Sequence, residues 1–183
     1  MYTNLTQAQI DKVQIDSGLI YANYGETTEE LIAPTRGGGE FSVKPTVRDI
    51  EHDSKRGKEK GLQVVESIEA SLKVTTIGAS QDTIAMALLD STTSGEALVN
   101  GAVGVIPSAK YLANVTMFAK LVDGTYKKIT LYNALHEGAF TLGAKPKAEG
   151  EIALEFNAHF DPLNTSTLLY KVEDITAFPE TSL

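Results

Sequence analysis

His159 and Asp161 stand two residues apart in a stretch that alternates Ile152, Leu154, Phe156, Ala158 and Phe160 with Glu151, Glu155, Asn157, His159 and Asp161. On a pleated strand, residues two apart share a face, and an imidazole beside a carboxylate could supply two ligands to a divalent metal. A third ligand would have to come from Glu155, His136 or His52, and no local spacing ties any of them to the pair. A solvated strand end ahead of Pro162 is the better reading of these residues.

Other chemistry fares no better. Serine, histidine and acids are present, but no G-x-S-x-G marks a nucleophile elbow. Gly37-Gly38-Gly39 and Gly57-Lys58-Glu59-Lys60-Gly61 lack the G-x-x-x-x-G-K-[ST] spacing, and neither opens a helix where backbone donors would converge on a phosphate. The chain has no cysteine, which removes disulfides, thiolate metal sites and a cysteine nucleophile. No catalytic residue, metal ligand or cofactor is assigned, and the chain is not expected to be an enzyme.

The remaining concentration of reactive groups is residues 51–61, where Glu51, Asp53, Lys55, Arg56, Lys58, Glu59 and Lys60 crowd between two strand patterns. Four bases beside three acids make either a solvated hairpin tip or a surface that pairs with complementary charge on another subunit, setting register without catalysis. These seven residues are the candidate subunit-interface site.

The elements that must hold that tip are legible from period-two patterns. Phe41, Val43, Pro45 and Val47 fall on one face of a strand, and Pro45 places it at a sheet edge or bulge. After the tip, Leu62, Val64, Ile68, Ala70, Leu72 and Val74 alternate with Gln63, Ser67, Glu69, Ser71 and Lys73, predicting one strand that ends near Gly78 and is long enough to project. Leu62, Val64, Ile68, Leu72 and Val74 are expected to share one face. Before the hairpin, residues 1–12 read as an N-terminal arm, a strand begins near Val13 and runs to Tyr21, and residues 25–39 read as a loop. After it, Ser80 offers a helix N-cap, with Asp82 in the first turn and Ile84, Ala87 and Leu88 as the apolar stripe. Residues 92–107 are a Gly-rich loop or weak strand. Tyr111, Ala113, Val115, Met117, Ala119 and Leu121 alternate into Asp123-Gly124, read as a type I′ turn, and a strand follows over 126–132. Residues 133–143 are ambiguous and 144–150 form a polar connection. Ile152, Leu154, Phe156 and Phe160 are expected in the core, and 168–172 reads as a last, edge strand.

With 183 residues, 42% hydrophobic and 22% charged, the chain suits one mainly β domain spanning 1–183. No stretch approaches the roughly 20 apolar residues that cross a bilayer, and the start lacks a basic patch followed by an apolar run, so synthesis and folding in a cytoplasm are expected, away from membranes. A net charge of −8 disfavours tight binding of a phosphate backbone.

Three segments carry a family resemblance: Leu19-Ile20-Tyr21-Ala22-Asn23-Tyr24-Gly25, Pro34-Thr35-Arg36-Gly37-Gly38-Gly39-Glu40-Phe41, and Arg48-Asp49-Ile50-Glu51-His52-Asp53 through Lys58-Glu59-Lys60-Gly61. They resemble the major tail proteins, or tail tube proteins, of long-tailed, siphovirus-type bacteriophages. The likeness continues through residues 62–76 and, more loosely, 151–161. It implies a β-sandwich or barrel-like tail-tube fold with one flanking α-helix and a long projecting β-hairpin. Six copies would close a ring, and rings would stack into a virion tail tube that conducts DNA during genome delivery. The family has no catalytic residues to transfer; the hairpin from Phe41 to Val74 maps as its stacking and lumen element. Implied partners are further copies of the chain, with tape-measure, tail-terminator and distal-tail proteins, and DNA passing without tight binding. A tube subunit of a contractile phage-like bacteriocin or secretion system has the same architecture, and a carbohydrate-binding or adhesion β-sandwich remains open if tyrosines are exposed on one face.

Overall fold

The computed structural model describes residues 4–15, 18–89, 91–94, 97–101, 103–143, 147–164 and 166–178. These form a short helix α1 (Gln7–Asp11), then β1 (Leu19–Ala22), β2 (Glu30–Leu31), β3 (Thr35–Asp49), β4 (Gln63–Thr76), α2 (Gln81–Ala87), β5 (Ser91–Ser94), β6 (Ala97–Asn100), a 3-10 turn at Ser108–Lys110, β7 (Leu112–Lys120), β8 (Tyr126–His136), β9 (Ile152–Asn157) and β10 (Tyr170–Ile175). The expected mainly β, sandwich-like architecture with a flanking helix holds. One antiparallel path runs β2-β1-β7-β8-β9-β4-β3, with β10 also on β8, while β5 and β6 pair separately.

Strand β8 is the junction. Its first half, from Tyr126 to Leu131, pairs with β10, whereas Leu135 and His136 pair with Asn157 and Phe156 of β9. The sheet divides there, and the core fills the space inside it. Ile20, Val115, Met117, Leu131 and Ala134 come from β1, β7 and β8; Leu72, Val74, Ile152, Leu154 and Phe156 come from β4 and β9; Ala87 comes from α2. Burying each large apolar side chain stabilises the fold by about 1.5–3 kcal/mol. On β7 the residues from Asn114 to Ala119 are buried without alternation, because its second face is covered too. There Phe118 lies edge-on to Tyr24 and Phe178.

Helix α2 starts as read: the Ser80 hydroxyl accepts from the Thr83 amide at 3.1 Å, with Asp82 in the first turn. Ala87 is core and Ile84 packs against it, but Leu88 is already the extended C-cap.

Several expectations are corrected. The N-terminal segment contains α1, and among the described residues the strand expected from Val13 is one bridge, Gln14 to Leu121, followed by β1 from Leu19; residues 16 and 17 between them lie outside the described residues. The 25–39 loop holds β2, and Thr35 already belongs to β3, with Gly37 and Gly38 looped out between the Arg36↔Thr75 and Gly39↔Val74 pairs. Asp123-Gly124 is not type I′, which needs positive φ at both residues. Only Gly124 has it, at 82°. The Gly124 amide donates to the Leu121 carbonyl at 3.0 Å, and Asp123 accepts from the Thr125 amide at 2.9 Å, so a type I turn leads into a left-handed glycine. The ambiguous 133–143 stretch is strand as far as His136. Ile152, Leu154 and Phe156 are core, but Phe160 is 58% exposed because β9 ends at Asn157. The last strand starts at Tyr170 instead of 168. Of the 144–150 connection, 144–146 lie outside the described residues, as do 1–3 of the arm.

Candidate functional site

The β3–β4 hairpin is paired from Thr35↔Thr76 to Asp49↔Gln63, and the Ile50 amide extends it by donating to the Leu62 carbonyl at 2.8 Å. Strand β9 covers only Ser71 to Thr76 of β4. Outward from there, residues 63–70 have β3 as their one described strand neighbour. At about 3.3 Å per residue this two-stranded blade reaches roughly 25 Å past the three-stranded part. A lone two-stranded hairpin is marginal in water, so what lines its faces matters.

One face is polar. The hydroxyls of Ser42 and Ser71 meet at 2.8 Å, and Arg48 pairs with Glu66 at 2.5 Å. Lys44 opposes Glu69, and Thr46 opposes Ser67. The other face is apolar: Val43↔Ala70, Pro45↔Ile68 and Val47↔Val65 follow outward from Phe41↔Leu72. Toward the base Leu72 is wholly buried, whereas Val47, Val65 and Ile68 are 47%, 54% and 38% exposed.

The row expected from alternation is corrected here. The register steps from Thr46↔Ser67 to Val47↔Val65, leaving Glu66 as an extra, bulged residue, and an extra residue reverses the pleat beyond it. Val65 therefore joins Ile68, Leu72 and Val74, while Val64 pairs with Arg48 on the polar face. Leu62 lies just outside β4. Strict period-two reading has no signal for such a bulge.

At the tip, part of the expected interface charge is spent internally. Lys55 contacts Glu51 at 2.6 Å and Asp49 at 3.4 Å; the Glu51 hydrogen bond in particular holds its ammonium above the usual lysine value. Asp49 accepts from Gln63 at 2.8 Å and is held below the usual carboxylate range by that bond first and by Lys55 next. Glu59 contacts His52 at 2.6 Å and accepts from the Arg56 amide at 3.4 Å. The side chains of Arg56, Lys58 and Lys60 and the carboxylate of Asp53 are exposed, with no ion pair among the described residues. Asp49 and Gln63, which tie the tip to its stem, were not singled out by the sequence reading.

The alternative chemical residues do not converge. His159 Nδ1 donates to the Asn133 carbonyl at 3.1 Å and Nε2 lies 3.2 Å from Glu137, whereas Asp161 turns to the Leu163 amide at 2.9 Å. Among the described residues no three His, Asp or Glu side chains are grouped to hold a metal. The six described tyrosines are all buried or half-buried, and Tyr21 and Tyr24 pack on Phe118, so they form no exposed aromatic platform for a sugar.

The chain thus presents a mainly β fold whose most distinctive surface is a projecting amphipathic hairpin. No protein-family model matches it, and no curated protein matches it. Among solved structures it is similar to a chain in the virion of a native gene transfer agent (GTA) particle, with a TM-score of 0.45, 12% identity, and coverage of 79% of this chain and 92% of the other. It is also similar to a chain in the tail of an empty GTA particle with C6 symmetry, with a TM-score of 0.42, 12% identity and the same coverages, 79% and 92%.

Proposed function

We propose that this chain is a structural virion protein of a phage-like tail, assembling into stacked hexameric rings that form the tail tube and guide DNA during genome delivery. The observation that carries the reading is the hairpin blade. Val47, Val65 and Ile68 form an apolar row in solvent on a two-stranded element that has no third described strand to support it. Such a row acquires a reason when another subunit covers it. The sequence resemblance of residues 19–25, 34–41 and 48–61 to major tail proteins supplies the setting. Tape-measure, tail-terminator and distal-tail proteins are the heterologous partners that setting brings, and the work is done by assembly, without catalysis.

The test is Val47→Ser with Val65→Ser. Both side chains are about half exposed, so thermal stability should change by no more than about 0.5 kcal/mol each, while rings and tubes seen by negative-stain microscopy of the unchanged chain should disappear. An unchanged chain that stays monomeric at high concentration, or a variant that assembles as well as the unchanged chain, overturns the reading.

A further inference from the structure

We infer that the hairpin tip of one copy docks on the acidic end of a second copy, Arg56, Lys58 and Lys60 of the first facing Glu26, Glu30 and Asp82 of the next. This rests on the assembly reading above and gives the contact a direction.

The first observation is the division of charge at the tip. Lys55 is held by Asp49 and Glu51, but the three cations beyond it are exposed and have no ion partner among the described residues. Asp53 is the one exposed tip carboxylate outside an ion pair, so on a chain of net charge −8 the three cations leave the tip with a local positive excess. The tip also stands at the end of the unsupported apolar row, so whatever covers that row meets these cations.

The second observation is the opposite pole of the same strand. Beyond Thr76, β4 leads through Ser80 into α2, and the Ile77 amide bonds to the Pro34 carbonyl of the β2–β3 connection at 3.0 Å; Asn23 and Thr28 of the β1–β2 connection, which also carries Glu26, line one cavity with Asp82. Glu26 and Asp82 are exposed there and have no ion pair among the described residues. Glu30 shares the wall of a cavity of about 260 Å³ with Asp82, Thr28, Met86 and Lys110. The Lys110 ammonium is turned away onto the Ser91 carbonyl at 2.5 Å. Burial, then the Asp82 charge, pushes the Glu30 carboxyl above its usual value. Among the described residues neither Glu26 nor Asp82 has an ion pair, and at the tip three cations outside any ion pair outnumber the one such carboxylate, Asp53.

The third observation is distance. Fourteen residues of β4 separate the two poles, roughly 40 Å at 3.3 Å per residue, so they cannot meet within one chain. A second copy satisfies both. Because the two patches differ, each docking leaves one tip and one acidic end free. Association then continues head to tail instead of closing as a two-fold dimer, and the row Val43, Val47, Val65 and Ile68 is drawn against the neighbour as the tip seats.

A charge swap tests this. One chain carries R56E/K58E/K60E and a second carries E26K/D82K, all at exposed positions; circular dichroism and thermal melts establish that each is folded, and R56Q/K58Q/K60Q replaces the first should the reversed tip misfold. Light scattering and negative-stain microscopy are expected to find the unchanged chain assembled, each reversed chain at least tenfold weaker in association, and the equimolar mixture restored, since an acidic tip then meets a basic end and a basic tip an acidic one. The glutamine set is expected to weaken association by at least tenfold as well. Normal assembly of either folded variant alone, or a mixture that stays dispersed, overturns the docking while leaving the assembly reading standing. An unchanged chain that never associates overturns both.

Discussion

His136 is 2% exposed at the point where β8 meets β9, and its Nδ1 accepts the Glu155 backbone amide at 2.9 Å. A ring nitrogen that accepts must be unprotonated, so the imidazole is neutral with its proton on Nε2. That Nε2 is the one buried side-chain polar atom among the described residues without a hydrogen-bond partner. Burial holds the ring below the ordinary histidine value, with the backbones of Glu155 and Gly138 and the Glu155 charge opposing the shift. In the unfolded chain the same imidazole takes its proton near its ordinary value of 6.5. As pH falls below that value the unfolded state binds the proton first, so stability declines until the folded-state value is passed and then levels. Protonation would also set an N–H against the Glu155 amide and break the bond at the junction. Replacement by asparagine keeps an acceptor near Nδ1 and removes the titration. Urea titrations of the unchanged chain and of His136→Asn at pH 7 and pH 5 should show the unchanged chain losing more stability on acidification, although the smaller side chain costs about 1–3 kcal/mol at pH 7. Equal losses in both would remove His136 as the acid-sensitive group.

At the scale of elements, the hairpin shows what alternation can and cannot report. Phe41, Val43, Pro45 and Val47 were legible as one face of an edge strand because β3 runs straight through them. The partner strand was half legible: Leu72, Ala70 and Ile68 are as read, then the Glu66 bulge substitutes Val65 for Val64. The base of the blade is set by close approach. A Cβ on Gly39 would lie 2.5 Å from Met117 Sδ and 2.8 Å from Ile20 Cδ1, so a side chain there requires the ends of Met117 of β7 and Ile20 of β1 to move. Gly39→Val is therefore expected to cost about 1–3 kcal/mol by overpacking, measured by denaturant midpoint. A neutral result would mean that β3 does not press on those side chains.

For the whole molecule the controlling quantity is charge. At −8 per chain, stacked rings would present a wall that repels phosphate, and the unpaired tip cations are directed, on the inference above, toward a neighbour's acids. Assembled protein mixed with linear double-stranded DNA at physiological salt is expected to show negligible retention in a filter or gel-shift assay, since few phosphates would be neutralised. Salt-sensitive binding below micromolar concentration would overturn the conduit account.

By itself the sequence determined the β class, the helix at α2 with its Ser80 cap, the hairpin and its charged tip, and the core residues Ile152, Leu154 and Phe156. All of these depend on local alternation, capping or charge, which are properties of neighbours in the chain. The tertiary structure decided what depends on residues far apart: that Glu66 bulges and turns Val65 to the apolar face, that Phe160 is exposed because β9 stops at Asn157, that β7 is covered on both faces, that Lys55 is paired with Asp49 and Glu51 while Arg56, Lys58 and Lys60 have no ion pair among the described residues, and that His136 is buried at a sheet junction. Pairing register and burial are set by the partner strand, so the pattern of one strand alone cannot specify them.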